Sequence, residues 1–417
     1  MATTDSSRTV EAVWRIESAR LIAGLARMVR DVGLAEEFAQ EALVAALEQW
    51  PRSGVPANPA AWLMTVAKRR AIDTLRRNER LERKVSELGR DLQTQQGEAD
   101  VDAALDDDIG DDLLRLMFVA CHPVLSTDAR VALTLRLLGG LTTAEIARAF
   151  LVPEPTVAQR IVRAKNTLSR KAVPFEVPSG AALAARLPSV LEVIYLVFNE
   201  GYSATAGEDW VRPELCEDAL RLGRILAGLL PTEAEVHGLV ALMELQASRL
   251  RARVGPAGAP VLLLEQNRGR WDHLLIRRGL AALDRAEELA GAPGSYTLQA
   301  AIAACHARAR TAEDTDWVRL AGLYDQLADV LPSPVVELNR AVAVGMAFGP
   351  AAGLELVEAL AGEPSLAGYH LLPSVRGDLL ANLGRHGEAR SEFERAASLT
   401  RNARERTLLL QRAAACA

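Results

Sequence analysis

The 417-residue sequence has few of the residues that metal sites and disulfide frameworks require. Its four cysteines lie far apart and form no Cys-x-x-Cys pair, which argues against a zinc site or a disulfide-stapled fold. They are Cys121, Cys216, Cys305 and Cys416. The histidines also lack metal-ligand spacing, and no nucleophile motif or phosphate-binding glycine loop is present. We therefore expect no metal, no cofactor and no catalytic site.

Long apolar runs are absent as well. No such run approaches the ~18 residues that cross a bilayer. The N-terminal stretch MATTDSSRTVEAVW lacks the basic-then-apolar pattern of a secretory signal. These absences favour a cytoplasmic protein with no membrane partner. Hydrophobic residues still make up 49% of the chain, which is enough for buried cores, and the length is typical of about two to four domains.

Positive charge is missing from one segment. Residues 91–112 contain nine acidic residues and neither lysine nor arginine, although the formal net charge of the whole chain is only −6. Like charges repel one another and resist packing, so we predict a flexible acidic linker over residues 89–112. This linker would hold apart two blocks, at residues 9–88 and 113–172, and a third block follows at residues 177–417.

Apolar residues elsewhere recur at helical rather than alternating periods, so the predicted fold class is all-α. In the first block, a helix bearing Glu36 is expected to end at Trp50-Pro51, because a residue before proline is disfavoured in a helix. The next predicted helix, from Ala60 to about Arg83, has an apolar stripe and a basic face. The basic residues are Lys68, Arg69, Arg70, Arg76, Arg77 and Arg80.

The second block ends in the pattern of a helix-turn-helix. Thr142 and Glu145 can form a capping box at the start of a short helix, and Leu151-Val152-Pro153 is expected to make the turn. The following helix would bury Val157, Ile161, Ala164 and Leu168 on one stripe. Its other side offers Gln159 and Arg160 as readers of base edges in the major groove. An ordinary helical hairpin with a solvated charged face is the alternative.

Together the two blocks resemble regions 2 and 4 of bacterial sigma factors of the extracytoplasmic-function (ECF) group. The resemblance is carried by Ala35–Glu41, Pro59–Leu63 and Ala67–Arg77 in the first block, and by Thr143–Ala147, Thr156-Val157 and Arg163–Lys165 in the second. The recognition helix departs from the family pattern. It has Pro155-Thr156-Val157-Ala158 where Gly-Thr-Val and a basic residue are common.

The resemblance implies partners and roles for individual residues. The partners are core RNA polymerase and promoter DNA. Docking on the polymerase is assigned to Glu36, Glu37, Gln40 and Glu41. Contact with the melted minus-10 element is assigned to Ala57, Asn58, Trp62, Lys68, Arg69, Arg70, Asp73, Arg76 and Arg77. Contact with the minus-35 element is assigned to Thr156, Gln159, Arg160, Arg163, Lys165 and Asn166. From its pattern alone, the ring of Trp62 also fits a core aromatic.

The third block contains an internal repeat. Leu320, Tyr324 and Leu327 recur 32 residues later as Ala352, Leu356 and Ala359, and a further 37 residues on as Ala389, Phe393 and Ala396. This spacing resembles the second helix of a tetratricopeptide repeat, whose period is ~34 residues. Upstream, helices are predicted at 181–198, 213–229, 232–253, 271–290 and 296–310. Stacked helix pairs would present a concave surface to a protein or peptide.

Two further stretches resemble an ECF subgroup that carries a tetratricopeptide-like extension. They are Tyr195–Ser203 and Leu264–Asp272, and Asn267 stands where an acidic residue is expected. Gly201 also fits a helix C-cap. The resemblance implies that the extension regulates the sigma factor in cis.

The two blocks together favour a promoter-specificity subunit that is not itself an enzyme. The alternative is a helix-turn-helix transcription activator with a tetratricopeptide-like sensor domain, which needs only one DNA-binding block. A helical-repeat scaffold or helical enzyme with incidental basic faces would leave the order of the two blocks unexplained.

Overall fold

A computed structural model of the chain describes residues 2–87, 109–150, 152–203, 211–255 and 259–416. The described residues form nineteen α-helices, a few short 3-10 turns and one isolated bridge between Val254 and Pro260, with no strand. The predicted all-α class is therefore confirmed. The chain divides into two compact units, Met1–Val193 and Ile194–Ala417.

The first unit contains both predicted DNA-binding blocks. Its helices are α1 (Ala2–Val29), α2 (Val32–Ser53), α3 (Pro59–Glu87), α4 (Ile109–Ala120), α5 (Thr127–Leu137), α6 (Thr143–Ala149), α7 (Glu154–Arg170) and the first part of α8 (Gly180–Tyr202). Helix α1 packs on α2, α3 and also α4, and α2 contacts α7. The two blocks thus lie against each other, whereas the sequence led us to expect them held apart.

Two boundaries in this unit differ from the sequence predictions. Helix α2 continues past Pro51 to Ser53, because Gly54, with a φ of 81°, donates its backbone N–H to Trp50 at 3.0 Å and closes the last turn. Helix α4 begins at Ile109, so Asp111 and Asp112 lie in a first helical turn, where negative charge is favourable. The rest of the predicted acidic linker, residues 89–108, lies outside the described residues.

The second unit is also helical. Its helices are α9 (Pro213–Leu229), α10 (Ala234–Ala247), α11 (Leu250–Arg253), α12 (His273–Leu289), α13 (Ser295–Arg308), α14 (Trp317–Val330), α15 (Pro334–Phe348), α16 (Pro350–Ala359), α17 (Leu371–Asn382), α18 (His386–Leu399) and α19 (Ala403–Ala415). The upstream predictions match except that the helix predicted at 232–253 is broken. The Ser248 hydroxyl donates to the carbonyl of Leu245 at 2.6 Å where α10 ends.

The internal repeat falls on the alternate helices α14, α16 and α18. Leu320 and Phe393 are buried as expected, but the middle helix is one residue out of the predicted register. Its buried residues are Gly353, Leu354 and Val357, while Ala359 is exposed. Glycine is required there because a Cβ on Gly353 would lie 2.8 Å from the Cα of Gly345 in α15. The resemblance to tetratricopeptide repeats remains a prediction.

Gly201 does not have the predicted C-cap role. Helix α8 continues through Gly201 and ends at Tyr202. The carbonyl of Gly201 accepts a hydrogen bond from the backbone N–H of Arg212 at 2.7 Å. A Cβ at this position would lie 2.7 Å from the backbone nitrogen of Cys216. The glycine therefore permits close approach of two backbone segments.

The sequence predicts no segment that resembles a membrane span, and helix α8 contradicts this. By length and composition α8 could cross a membrane, with a mean hydropathy of 1.7 over 18 residues. It is the one such helix in the described part of the chain. Its Val193, Ile194, Val197 and Phe198 are buried in the folded chain. Core helices of globular domains have the same composition, so the apolar character has a structural explanation.

Candidate nucleic-acid interface

Helix α3 presents a basic face to solvent. Its start is fixed by Asn58, whose side-chain oxygen accepts the backbone N–H of Ala61 at 3.1 Å. The predicted minus-10 residues that are exposed are Ala57, Asn58, Arg69, Arg70, Asp73, Arg76 and Arg77, and Lys68 is half-buried. Arg70 is ion-paired with Glu41 of α2 at 2.8 Å. The other arginines leave a positive surface suited to a nucleic-acid backbone.

Trp62 stands beside this basic face. It is half-buried, and its ring meets the edge of Trp50 with centroids 5.5 Å apart. Trp50, which is 2% exposed, is the core aromatic of this region. Since Arg69 and Arg76 follow Trp62 by seven and fourteen residues, the three lie on one side of α3. A partly exposed indole among arginines is an arrangement on which an unpaired base can stack.

Helices α6 and α7 form the predicted helix-turn-helix. The Thr142 hydroxyl accepts the backbone N–H of Glu145 at 3.1 Å, and the Glu145 carboxylate accepts the backbone N–H of Thr142 at 2.7 Å. The predicted capping box is therefore present. In α7 the buried residues are Val157, Ile161, Ala164 and Leu168, as predicted. This stripe fixes which side of α7 faces the solvent.

The outer side of α7 carries most of the predicted minus-35 residues. Gln159, Arg163 and Asn166 are exposed and Thr156 is half-buried. Arg160 is ion-paired with Asp128 of α5 at 2.8 Å. The face therefore offers amide and guanidinium groups from consecutive turns of a single helix, as major-groove reading requires.

Lys165 lies on a different side of α7 from these residues. Its ammonium group is ion-paired with the carboxylate of Glu36 in α2. The second oxygen of Glu36 accepts from Arg136 Nε of α5 at 2.6 Å and from Gln40 Nε2 at 2.5 Å. Two residues assigned to different partners, Glu36 and Lys165, are thus bound to each other.

Burial separates Glu36 from the other predicted polymerase-docking residues. Glu36 is only 2% exposed, whereas Glu37 and Glu41 are exposed and Gln40 is half-buried. A buried carboxylate is stable only when it is paired and hydrogen-bonded, and Arg136 and Lys165 supply that pairing. No local pattern points to Arg136, because it lies 100 residues from Glu36 in the chain.

A second ion-pair cluster joins the two blocks. Arg27 of α1 lies 3.5 Å from Asp112 of α4, and Asp112 also accepts from Arg115 at 2.7 Å. Arg27, Arg115 and Lys165 line a cavity of about 660 Å³ between the blocks. The two blocks are therefore joined by charged contacts at two places.

Within the described residues, no three His, Cys, Asp or Glu side chains form a group that could hold a metal ion. Burial raises the pKa of the Cys121 thiol to about 11 and that of Cys216 to about 12. Both are neutral thiols at physiological pH, so neither is an activated nucleophile.

Three family models match the chain. Sigma-70 region 2 matches residues 16–81, and Sigma-70, region 4 matches residues 115–168. A family of unknown function, DUF6596, matches residues 186–287 and so covers α9 to α11 and most of α12. The first two matches contain the basic face of α3 and the helix-turn-helix.

Similar proteins fall into two groups. An uncharacterized protein of Rhizobium meliloti (strain 1021) is 48% identical over 384 residues, which cover 91% of this chain and 89% of that protein. The ECF RNA polymerase sigma factor SigK of Mycobacterium ulcerans (strain Agy99) is 31% identical over 145 residues, covering 33% of this chain and 71% of SigK. SigK of Mycobacterium tuberculosis (strain ATCC 25618 / H37Rv) is 30% identical over 151 residues, which cover 34% of this chain and 74% of that protein.

Proposed function

Since the chain belongs to the sigma-70 family of sigma factors, we propose that it is an ECF sigma factor with a regulatory C-terminal extension. It binds core RNA polymerase, directs it to specific promoters and promotes transcription initiation. The polymerase supplies the chemistry, and the chain supplies recognition. Because its partners are the polymerase and chromosomal DNA, its place of action is the cytoplasm.

The observation that carries this proposal is the presence, in one unit, of two solvent-facing helix faces whose side chains suit DNA binding. One is the basic side of α3 with Arg69, Arg76 and Arg77, and the other is the outer side of α7 with Gln159 and Arg163. A helix-turn-helix activator needs only the second surface. A factor that both reads a duplex and holds a melted strand uses both.

The two surfaces suit different forms of DNA. The arginines of α3 attract the phosphates of a melted strand, and the indole of Trp62 provides a stacking platform for a base. The side chains of Gln159 and Arg163 can hydrogen-bond base edges or phosphates in the major groove of the minus-35 element. Arg160 joins them once its ion pair with Asp128 is exchanged for DNA.

Docking on the polymerase requires a change at Glu36. Glu37 is exposed and available for docking, and Glu41 is exposed but paired with Arg70. Glu36 is held by Arg136 and Lys165. We propose that the polymerase separates the two blocks, freeing Glu36 for docking and Lys165 for DNA phosphates. The arrangement described is then the closed form of the factor.

The second unit is proposed to regulate this opening in cis. Its paired helices α14 to α19 resemble tetratricopeptide repeats, which bind proteins or peptides on a concave surface. A protein or peptide on these repeats would change how readily the first unit binds the polymerase.

The test is transcription from genomic promoter fragments by core polymerase and the purified chain. We expect specific transcripts, and loss of them in an Arg76→Ala, Arg77→Ala double variant. The matched control is Arg270→Ala with Arg277→Ala, two exposed arginines of the second unit. Duplex binding without core polymerase and without transcripts would favour the activator, and neither activity would favour a scaffold.

A further inference from the structure

The two stretches outside the sigma-like blocks, Tyr195–Ser203 and Leu264–Asp272, meet around one arginine. The Arg249 guanidinium carbon lies 5.8 Å from the ring centroid of Tyr202 in the first stretch and 5.8 Å from that of Trp271 in the second. These distances fit cation–π contact. Regions far apart in sequence therefore form one cluster within the second unit.

Two more guanidinium groups belong to the same cluster. Arg253 lies 3.9 Å from the centroid of Tyr202, and Arg268 lies 4.9 Å from that of Trp271. Each of the three arginines is thus within about 6 Å of one of two aromatic rings. The cluster carries three formal positive charges in a partly buried place.

No carboxylate in the described part of the second unit is ion-paired with Arg249. The carboxylates of the two stretches are engaged elsewhere or exposed, since Glu200 is ion-paired with Arg212 and Asp272 caps α12 by accepting the backbone N–H of Leu274. Glu265 is exposed. Among the described residues, the half-buried guanidinium of Arg249 has no hydrogen bond or ion pair, only the two rings.

Unpaired donors are also buried at the cluster, while Gln266 Oε1 of the second stretch is a buried acceptor without a hydrogen-bond partner among the described residues. The indole N–H of Trp271 and the Nε of Arg268 are buried and have no hydrogen-bond partner in the part of the chain that the structure describes. The other nitrogens of Arg268 donate to the carbonyls of His306 and Ala309 and to the hydroxyl of Thr315. Buried donors without acceptors are rare in folded proteins. A ligand with several acceptor oxygens would satisfy them.

We propose that Arg249, flanked by Tyr202, Trp271, Arg253 and Arg268, is the centre of a binding site for a small phosphate-bearing molecule. A phosphate group has the negative charge to match more than one guanidinium, and its oxygens accept the paired N–H groups of arginine. The two rings are already covered by guanidinium groups, so the site recognises the anionic group rather than an aromatic base.

His306 lies close enough to the cluster for its arginines to act on the imidazole. Burial, together with Arg249 and Arg268, lowers the pKa of this imidazole to about 3, so the ring is neutral at physiological pH. Asp314 and Glu313 are the acidic residues that act on Arg268, and both are exposed. These two carboxylates therefore offset only part of the positive charge around Arg268.

The test is equilibrium dialysis of the full-length chain with radiolabelled inorganic phosphate, at constant ionic strength set with chloride. We expect saturable binding of one phosphate per chain. At a phosphate concentration about five times Kd, we expect a rise of about 2–4 °C in the melting temperature of the second unit. An Arg249→Gln variant should bind at least about tenfold more weakly, because it loses charged hydrogen bonds.

Two controls make the outcomes distinct. Arg270→Gln removes an exposed arginine of the same stretch and should bind phosphate like the wild type. Arg69→Gln removes an arginine of α3 and should also leave binding unchanged, which excludes adventitious capture by the DNA-binding surface. Equal phosphate binding by the wild type and Arg249→Gln, or no saturable binding by the wild type, would overturn the proposal.

A macromolecular ligand is a separate outcome. If a single-stranded RNA bound through Arg249 while phosphate did not, the small-molecule site would be refuted. A regulatory role for the site rests on the proposed function, but the binding measurement does not. Intact phosphate binding with no transcription in any condition would therefore contradict the proposed function alone.

Discussion

The ion pairs that bury Glu36 lead to a prediction about polymerase affinity. We consider the change Arg136→Met, which removes the guanidinium whose Nε lies 2.6 Å from Glu36 and keeps an apolar side chain of similar length. Arg136 also donates to the carbonyl of Leu141 at 3.2 Å, but that contact lies within the second block and is lost equally in closed and open forms.

The expected magnitude follows from the burial of Glu36. Removing one partner of a buried ion pair costs about 3–5 kcal/mol, because the remaining charge is left uncompensated. Lys165 and Gln40 still face Glu36 in the variant, so we expect about 3 kcal/mol, the lower end of that range. In the open form Glu36 is solvated and loses nothing. The ratio of closed to open form should therefore fall about 100-fold.

The assay is the Kd of the full-length chain for core polymerase, measured without DNA by fluorescence anisotropy. If the closed form dominates in the wild type, Arg136→Met should bind the polymerase up to about 100-fold more tightly. Arg277→Met, at an exposed arginine of α12, is the matched control and should bind like the wild type. Binding that is weaker in Arg136→Met, in a variant shown to be folded, would refute the closed form.

Three further predictions concern other parts of the molecule. Gly201→Ala should destabilise the second unit by about 1–3 kcal/mol in chemical denaturation through overpacking, because its Cβ would lie 2.7 Å from the backbone nitrogen of Cys216. Gly228→Ala, with open space around it, should be neutral or stabilising, and equal effects would contradict this account. Burial lowers the pKa of His306 from 6.5 to about 3, so the unfolded state binds a proton that the folded state does not, and stability should fall as the pH drops from 6.5 toward 3. The loss is about 1.4 kcal/mol per pH unit, and a His306→Phe variant that keeps the same acid dependence would disprove the assignment. Arg160→Ala should relax the choice of minus-35 sequence by about 1–3 kcal/mol in holoenzyme binding, whereas Arg76→Ala with Arg77→Ala should reduce permanganate reactivity of the opened strand. Unchanged minus-35 discrimination in Arg160→Ala, together with unchanged permanganate reactivity in the double variant, would contradict the assigned roles.

Local pattern was sufficient to predict most helices. Val157, Ile161, Ala164 and Leu168 recur at helical spacing, so they could only be buried together if α7 formed. The Thr142–Glu145 capping box is likewise a contact between near neighbours, and it is present. Where helix ends depended on contacts with distant residues, prediction was less successful. The local sequence predicts a cap at Gly201, because it carries no sign that the backbone of Cys216 approaches this glycine.

The state of the site residues could not be predicted from the sequence. The acidic pattern around Glu36 predicts an exposed docking surface. Glu36 is instead buried, because Arg136 and Lys165 reach it from other helices. Such pairing depends on how two blocks pack, and no periodicity encodes it. The register of the middle repeat was missed for a related reason. Gly353 packs on Gly345, and a contact between two glycines has no hydrophobic signature.

Both blocks of the first unit are proposed to bind core RNA polymerase as a shared platform. Size-exclusion chromatography of the purified full-length chain mixed with core polymerase, beside an established sigma factor, measures this binding. We expect a stoichiometric complex, and Glu37→Lys with Glu41→Lys should disrupt it. If the wild-type chain fails to bind where the established factor binds, the shared platform is refuted.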